Sequence, residues 1–267
     1  MNDWNPNKYL EFKNERTQPA IDLAARINLN NPKNIIDVGC GPGNSTQILA
    51  KRWPNSSITG LDSSKTMISK AKEDYPNQIW IHDNAENITD DKKYTLVFSN
   101  AAIQWMDNHE LLIPKLWNVV ENSGVLAVQI PAFNNMPINT ATTNIINKNK
   151  WKKYTKNKNT SLLNYHELYY YYEILNNYTN EIVLWKTHYF HILPTLNGII
   201  DFVRTTALKP YLENLPNEEK RQELENEILE ECKEYYKIQT DGKVLFPFDR
   251  IFFIAYKNID KSKRYCS

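Results

Sequence analysis

The sequence is poor in glycine and cysteine and carries almost no excess of either charge. Seven glycines and three cysteines occur among its 267 residues. The cysteines, Cys40, Cys232 and Cys266, are odd in number and widely spaced, which fits neither a disulfide framework nor a paired zinc signature. We therefore expect reduced thiols and no metal site.

Long apolar runs are also missing. No stretch reaches the roughly 18 apolar residues of a membrane-spanning helix, and the opening MNDWNPNKYL lacks the basic and then apolar pattern of a secretory signal. Basic and acidic side chains number 32 and 31, so the net charge of +1 creates no long-range field that would attract nucleic acid. These features predict a cytoplasmic protein with no membrane or nucleic-acid partner.

The composition that remains is typical of a globular protein, with 41% of residues apolar and 24% charged. It excludes collagen, coiled coils and extensive disorder. A chain of this length buries enough surface to fold as one large domain, with or without a cap, and needs no metal or disulfide.

Strand-like and helix-like patterns alternate through the first half of the chain. The strand patterns cover 34–38, 57–61, 78–82, 95–100 and 124–130, and the helical patterns cover 16–27, 44–53, 64–74 and 107–120. Alternation at this interval predicts a mostly parallel sheet with helices on both faces. Ligands of such sheets bind beyond the carboxyl ends of the strands.

The second half follows a different pattern. Strand-like segments at 181–193 and 250–257 enclose helical patterns at 197–212 and 217–236. We predict that the last strand closes the sheet as an antiparallel partner of the earlier one, with the intervening helices as a cap. The tyrosine-rich stretch 165–178 is amphipathic, and the basic stretch 148–158 predicts a solvated loop or helix.

Three of the seven glycines, Gly39, Gly41 and Gly43, follow the first strand directly. Such a loop lets backbone N–H groups approach a ligand at the start of the next helix. The third glycine of the dinucleotide fingerprint is replaced by Asn44, so the fit to NAD is poor. Asp37 would repel a pyrophosphate but can accept hydrogen bonds from the ammonium of an amino acid.

Polar residues also end the next strands. Asp62 ends the second strand, where a carboxylate can bind both hydroxyls of a ribose. Asp83 and Asn84 follow the third strand, and either could read an adenine amino group. Ammonium, ribose and adenine sites in chain order predict S-adenosylmethionine as the cofactor. The predicted cofactor residues are Asp37, Gly39, Cys40, Gly41, Gly43, Asp62, Ser63, Asp83, Asn84, Ala85 and Asn100.

The run D-V-G-C-G-P-G at 37–43 resembles the first motif of the class I S-adenosylmethionine-dependent methyltransferases. The runs D-W-N-P at 3–6 and W-K-T-H-Y-F-H at 185–191 are more specific and resemble the trans-aconitate 2-methyltransferase family. The resemblance implies a Rossmann-like, doubly wound α/β domain over residues 1–257, with a mostly parallel seven-stranded sheet and an antiparallel closing strand. Segments 132–180 and 195–245 would form a helical cap over the pocket, and 258–267 a tail.

The resemblance also implies a methyltransferase that esterifies one carboxylate of a small polycarboxylic acid, trans-aconitate foremost. Such a carboxylate is ionised at pH 7, so we predict no catalytic base. Its other carboxylates need cationic or N–H partners, for which the basic candidates are Arg16, His188, His191, Arg204, Lys209 and Arg250. The predicted substrate-binding residues are Trp4, Tyr9, Arg16, Gln104, Trp105, His191 and Arg250.

Three departures from the family pattern bear on this prediction. Asn84 stands where the family carries Asp, Thr95 replaces an Asp at the start of the fourth strand, and Lys209 replaces an Arg. Lys retains the charge but loses the bidentate fork of Arg, so substrate identity is affected more than cofactor binding.

Other functions stay open at this point. A methyltransferase for another acid, such as a malonyl group on an acyl carrier, shares the first half of the pattern. A non-catalytic S-adenosylmethionine-binding module is a second alternative, and an NAD-linked oxidoreductase is a remote third. A nucleic-acid methyltransferase is disfavoured because residues 100–103 read N-A-A-I instead of the N/D-P-P-F/Y motif of such enzymes.

Overall fold

The computed structural model describes residues 13–89, 91–155 and 164–257. Seven strands within these ranges form one sheet in the order β3-β2-β1-β4-β5-β7-β6. They are β1 (Asn34–Val38), β2 (Ser57–Asp62), β3 (Ile79–His82), β4 (Tyr94–Asn100), β5 (Val120–Pro131), β6 (Ile182–Leu193) and β7 (Val244–Tyr256). The helices are α1 (Lys13–Arg26), α2 (Asn44–Arg52), α3 (Lys65–Asp74), α4 (His109–Asn118), α5 (Pro137–Ile146), α6 (Asn149–Thr155), α7 (Leu168–Asn176), α8 (Asn197–Arg204), α9 (Lys209–Glu213) and α10 (Glu218–Cys232).

Strands β1 to β5 pair in parallel. β1 lies between β2 and β4, with Asp37 opposite Gly60 on one side and Phe98 on the other. Four of the five residues of β1 are buried, which is typical of a parallel strand covered on both faces, and Asp37 is the one charged residue among them. The predicted alternation of strands and helices is confirmed.

β7 lies between β5 and β6 and runs antiparallel to both. On the side of β6, the amide of Tyr256 donates to the carbonyl of Glu181, and the His188 ring contacts Asp249.

On the side of β5, the amide of Lys257 donates to the carbonyl of Gly124, whereas the amide of Ala132 donates to the carbonyl of Asp249. The partner number falls as the residue number rises, which is the signature of antiparallel pairing. The predicted closing strand is thus confirmed, although it begins at Val244 and not at residue 250.

Local signals set several element boundaries. The Ser64 hydroxyl accepts a hydrogen bond from the amide of Met67 and caps α3, as the sequence predicts. The single helix predicted over 197–212 is wrong, because α8 ends at Arg204 and α9 begins at Lys209. Pro210 stands in the first turn of α9, where its missing N–H costs nothing, and in a continuous helix it would break a hydrogen bond.

Helix α5 lies in the segment 132–180 that was expected to contribute to a helical cap, but its own bounds were not predicted. Pro137 occupies its first turn, and its buried residues include Ile138, Ala141 and Ile145 at helical spacing. The signal was present in the sequence, although the Asn- and Thr-rich composition of the segment obscured it.

The chain divides into two compact units. Within the described residues, the first consists of 13–89, 91–130, 166–186 and 251–257, and the second of 131–155, 164–165 and 187–250. The first unit contains β1 to β5 and the helices α1 to α4 and α7, and the second contains α5, α6 and α8 to α10. Among the described helices, none combines the length and the hydropathy that crossing a bilayer requires.

Candidate active site

The loop that joins β1 to α2 has a backbone that favours glycine. Gly39, Gly41 and Gly43 have φ angles of 74°, 55° and 94°. The amide of Gly39 donates to the carbonyl of Leu61 at 2.7 Å, which ties the loop to the end of β2. A Cβ on residue 39 would lie 2.1 Å from the Cβ of Ala102, so only glycine fits there.

A cavity of about 180 Å³ lies beyond the carboxyl ends of β1, β2, β3 and β4. The predicted residues that line it are Gly39, Gly41, Asp62, Ser63, Asn84, Ala85 and Trp105. Its other lining residues are Leu61, Met67, Glu86, Ala101, Ala102 and Met106, none of which was predicted. The structure therefore brings the predicted ribose and adenine residues together around one space, which we call the main cavity.

A second cavity of about 40 Å³, the small cavity, shares Gly39, Gly41 and Ala101 with the main one. Three buried polar atoms of its lining residues have no hydrogen-bond partner within the described part of the chain: Thr17 Oγ1, Asn44 Nδ2 and Asn100 Oδ1. Buried polar atoms are ordinarily paired, and this set can donate and accept. The small cavity is thus suited to a ligand end that carries both a donor and an acceptor, such as an amino acid.

Two of these three residues were missed by sequence reasoning. Thr17 lies on α1 and directly follows the predicted Arg16, and Asn44 is the first residue of α2. Asn44 was noted only as the residue that replaces a glycine of the dinucleotide fingerprint. Its place at the start of a helix after the glycine loop was the available signal.

Asp37 is fully buried at the end of β1. Its Oδ2 accepts hydrogen bonds from the hydroxyls of Ser45 and Thr46, both at 2.7 Å, while Oδ1 has no partner among the described residues. Burial raises the pKa of this carboxyl from 3.8 to about 6, and the two hydroxyls only partly oppose the rise. Asp37 lines neither cavity, but Ser45 lines the small one.

Asp62 shapes the glycine loop as well as lining the main cavity. Its Oδ2 accepts from the amide of Gly41 at 2.9 Å, and its Oδ1 accepts from the amide of Ser64 at 2.8 Å. The carboxylate therefore fixes Gly41, which lines both cavities.

Asp83 and Asn84 lie in different surroundings. Asp83 is exposed, and its Oδ1 accepts from the side chain of Asn87 and the amide of Asn84, which together lower the pKa of Asp83. Asn84 lines the main cavity and Asp83 does not. Of the two residues left open for the adenine, Asn84 is the one placed at the cavity.

Two other predicted cofactor residues differ in position. Cys40 lines the small cavity, and its thiol donates to the carbonyl of Gly41 at 3.5 Å. Gly43 lines neither cavity, and a Cβ there would lie 2.8 Å from Trp80 and 2.9 Å from Tyr75. Gly43 thus permits the close packing of α2 against aromatic side chains.

Among the predicted substrate residues, Gln104 and Trp105 lie in the turn after β4. Trp105 lines the main cavity, whereas Gln104 is buried and donates from Nε2 to the carbonyl of Ala101 at 2.7 Å. Trp4 and Tyr9 lie outside the described residues, and so does the side chain of Arg16.

His191 and Arg250 belong to the second unit, and 7% and 3% of their surfaces are exposed. His191 stacks on Phe202 with ring centres 5.4 Å apart, and the Arg250 guanidinium lies 4.5 Å from the ring centre of Phe248. Burial, and then the charge of Arg250, lower the pKa of His191 to about 4, so its imidazole is neutral at pH 7.

The other basic candidates of the second unit have acidic partners within it. Arg204 forms an ion pair with Glu225 and Lys209 with Glu213, and the His188 ring contacts the carboxylate of Asp249. Within the basic stretch 148–158, Lys150 pairs with Glu223 and Glu227 of α10. These contacts give the four side chains a structural role inside their own unit.

Comparison with known proteins agrees with this geometry. Residues 35–124 match a family model described as a methyltransferase domain. The chain is 37% identical over 256 residues to the trans-aconitate 2-methyltransferase of Escherichia coli O45:K1, covering 96% of this chain and 98% of the relative. The enzyme of the same name from Escherichia coli O157:H7 matches at the same identity and coverage.

The chain belongs to the trans-aconitate 2-methyltransferase family. The predicted methyltransferase activity and the predicted S-adenosylmethionine cofactor are confirmed with this membership.

Solved structures confirm the fold class. The YcgJ protein of Bacillus subtilis aligns with a TM-score of 0.58 at 12% identity, covering 91% of this chain and all of the other. Phosphoethanolamine N-methyltransferase 2 of Haemonchus contortus, solved with S-adenosyl-L-methionine, aligns with a TM-score of 0.55 at 14% identity, covering 91% of this chain and 53% of the other. At these identities the likeness concerns the fold alone.

Proposed function

We propose that this protein transfers the methyl group of S-adenosylmethionine to a carboxylate of trans-aconitate and forms a methyl ester. The observation that supports the proposal most is the pair of neighbouring cavities, with shared lining residues, at the strand ends in a member of this family. Polar atoms that suit an amino acid lie in the small cavity, and Asp62 and Asn84 lie at the main one.

The two cavities suggest how the cofactor would be held. Asn44 Nδ2 and Thr17 Oγ1 would donate to its carboxylate, and Asn100 Oδ1 would accept from its ammonium. Asp62 would accept from the ribose and Asn84 would bind the adenine edge. The unpaired Oδ1 of Asp37 would be a second acceptor for the ammonium.

Methyl transfer to a carboxylate requires little from the protein beyond positioning of the two reactants. When bound, the cofactor supplies a methyl group on a positively charged sulfur. The acid supplies its own nucleophile, because a carboxylate with a pKa of about 4 is almost fully ionised at pH 7. The residues of the chain therefore orient and desolvate the reactants, an effect worth roughly 7 to 11 kcal/mol when alignment is good.

We further propose that His191 and Arg250 bind the carboxylates that are not methylated. A neutral imidazole can donate one N–H, and a guanidinium can bind a carboxylate through two parallel hydrogen bonds. Trp4, Tyr9, Arg16 and Trp105 stay proposed substrate contacts, and Gln104 is better explained as the residue that holds the carbonyl of Ala101.

The substrate proposal is tested with methyl-labelled S-adenosylmethionine and a panel of acids. We expect label to enter a base-labile ester with trans-aconitate, and the absence of turnover with this acid and with related di- and tricarboxylates would refute the substrate proposal. Preferred turnover of an acyl-carrier-bound malonyl group would show that this group, and not trans-aconitate, is the substrate. Tight binding of S-adenosylhomocysteine without turnover of any acid would contradict catalysis.

The role of Arg250 is tested with a matched pair of arginine variants. We expect Arg250→Gln to raise the KM for the acid by roughly 10- to 100-fold, the value of a charge-assisted hydrogen bond, while the Kd of S-adenosylhomocysteine stays unchanged. Arg204→Gln, which breaks a described ion pair instead, should lower thermal stability and leave KM unchanged. Equal KM values in the two variants would show that Arg250 does not bind the acid.

The cytoplasmic location and the absence of a nucleic-acid partner stay predictions from composition.

A further inference from the structure

His109 is a buried histidine beside the main cavity to which the proposed reaction assigns no role. It is the first residue of α4, and only 1% of its surface is exposed. Its Nε2 lies 2.8 Å from the carbonyl oxygen of Ile103, and its Nδ1 lies 2.8 Å from the hydroxyl of Tyr171. Both ring nitrogens are therefore engaged.

The two contacts define the tautomer. A carbonyl oxygen can only accept, so Nε2 carries the hydrogen and donates it to Ile103. Nδ1 is then the acceptor, and the Tyr171 hydroxyl donates to it. Tyr171 is fully buried and stacks on Phe253 with ring centres 5.0 Å apart, so this donor is held firmly.

The segment that His109 contacts is the turn after β4. The carbonyl of Ile103 also accepts from the amide of Met106 at 2.9 Å, and the amide of Trp105 donates to the carbonyl of Ala102 at 3.0 Å. Ala102, Trp105 and Met106 line the main cavity.

The same turn carries backbone strain and meets the glycine loop. Ala101 has a φ angle of 52°, which is unfavourable for a residue with a Cβ. The Cβ of Ala102 fills the space that a side chain on Gly39 would need. A shift of this turn would therefore change both the cavity wall and the support of the glycine loop.

We propose that His109 is a positioning residue for methyl transfer, whose Nε2–H fixes the turn 101–106 against the glycine loop. The inference rests on the proposed function for its kinetic readout. Burial lowers the pKa of His109, and the neighbouring His166 lowers it further. The carbonyls of Ile103 and Met106 and the carboxylate of Asp107 act in the opposite direction. Protonation of Nδ1 would make it a hydrogen-bond donor that faces a second donor, the Tyr171 hydroxyl, and the hydrogen bond between them would be lost.

The test uses two amide variants that separate the ring nitrogens. In His109→Gln the amide nitrogen reaches the position of Nε2 and can still donate to Ile103. In His109→Asn the shorter side chain reaches only the position of Nδ1, and the contact with Ile103 is lost. Both variants lose about one hydrogen bond, so their thermal stabilities should fall by similar amounts.

We expect His109→Asn to weaken S-adenosylhomocysteine binding and to lower kcat, each by about tenfold, whereas His109→Gln stays within about threefold of wild type. Wild-type kcat should fall on acidification below the ordinary histidine pKa, and the profile of His109→Gln should lack this limb. Equal losses in both variants, in step with stability, would overturn the proposal.

The binding measurement separates the two levels of inference. If the wild-type protein binds S-adenosylhomocysteine but turns over no acid, the proposed function fails, and the affinity ratio of the two variants still decides the role of His109. If the protein turns over acid and both variants match wild type in affinity and kcat, only the role of His109 is refuted.

Discussion

Replacing Asp37 by Asn should make the protein more stable at neutral pH and lower its affinity for the cofactor. Asp37 is fully buried, and its pKa is raised from 3.8 to about 6. Asn has the shape of the protonated acid, and its oxygen can still accept from Ser45 and Thr46. The substitution therefore removes a buried charge without removing the hydrogen bonds on Oδ2.

The magnitude follows from the pKa. The folded protein holds the Asp37 proton up to about pH 6, whereas the unfolded chain releases it near pH 4. Between these values the unfolded state binds fewer protons, so wild-type stability falls as pH rises and then levels off. A rise of about two pKa units corresponds to roughly 3 kcal/mol at 1.36 kcal/mol each, which Asp37→Asn should recover above pH 6.

Urea unfolding of both proteins at intervals from pH 4 to pH 8 measures this difference. We expect equal stability near pH 4 and a gain for Asp37→Asn that grows up to pH 6 and is constant above it. A gain that does not depend on pH, or none at all, would refute the assignment of a buried, late-ionising carboxyl.

Calorimetry with S-adenosylhomocysteine gives the second half of the prediction. A cofactor ammonium near Oδ1 favours the ionised carboxyl, so wild-type affinity should rise with pH through 6. Asp37→Asn should bind about tenfold more weakly above pH 6, with no such pH dependence. Unchanged affinity would show that Asp37 serves only the fold.

Three further predictions concern the loops around the main cavity. Gly39→Ala should prevent stable folding, because its Cβ would lie 2.1 Å from the Cβ of Ala102. A Cβ on Gly41 meets no atom within 4 Å, so Gly41→Ala should fold at a cost of about 1 to 2 kcal/mol. Gly41→Ala should nevertheless lose cofactor affinity more than tenfold. Thermal unfolding and S-adenosylhomocysteine titration separate the two, and a Gly41→Ala protein with wild-type affinity would contradict the site. Asp62→Ala should weaken that affinity by about tenfold or more and lower the melting temperature, because the amide of Gly41 loses its acceptor; normal affinity would exclude Asp62 from the site. Asn84→Ala should weaken binding about tenfold while Asp83→Ala changes it less than twofold, and the reverse order would assign the adenine contact to Asp83.

Much of the first unit could be predicted from the sequence because its signals are local. The short run 34–38, followed directly by glycines, predicted a buried strand, and Ser64 caps its helix through an amide three residues ahead. The glycine loop and Asp62 were predicted for the same reason, since the carboxyl ends of parallel strands meet at one edge.

The partners of each side chain could not be predicted, because they come from residues distant in sequence. The hydrogen bonds that Asp37 Oδ2 accepts from Ser45 and Thr46 were not foreseen, although the proposed role of its Oδ1 towards a ligand stays a prediction. Only the folded chain brings Thr17 of α1 and Asn100 of β4 to the same small cavity.

The sequence by itself thus determined the order of strands and helices, the glycine loop and the family to which the chain belongs. Periodicity, helix caps and motifs depend only on residues that are close in sequence. The tertiary structure decided which of Asp83 and Asn84 reaches the cavity, where the helix over 197–212 breaks, and that the imidazole of His109 holds the turn beside the site. Burial and hydrogen-bond geometry depend on contacts across the chain, and those exist only once it has folded.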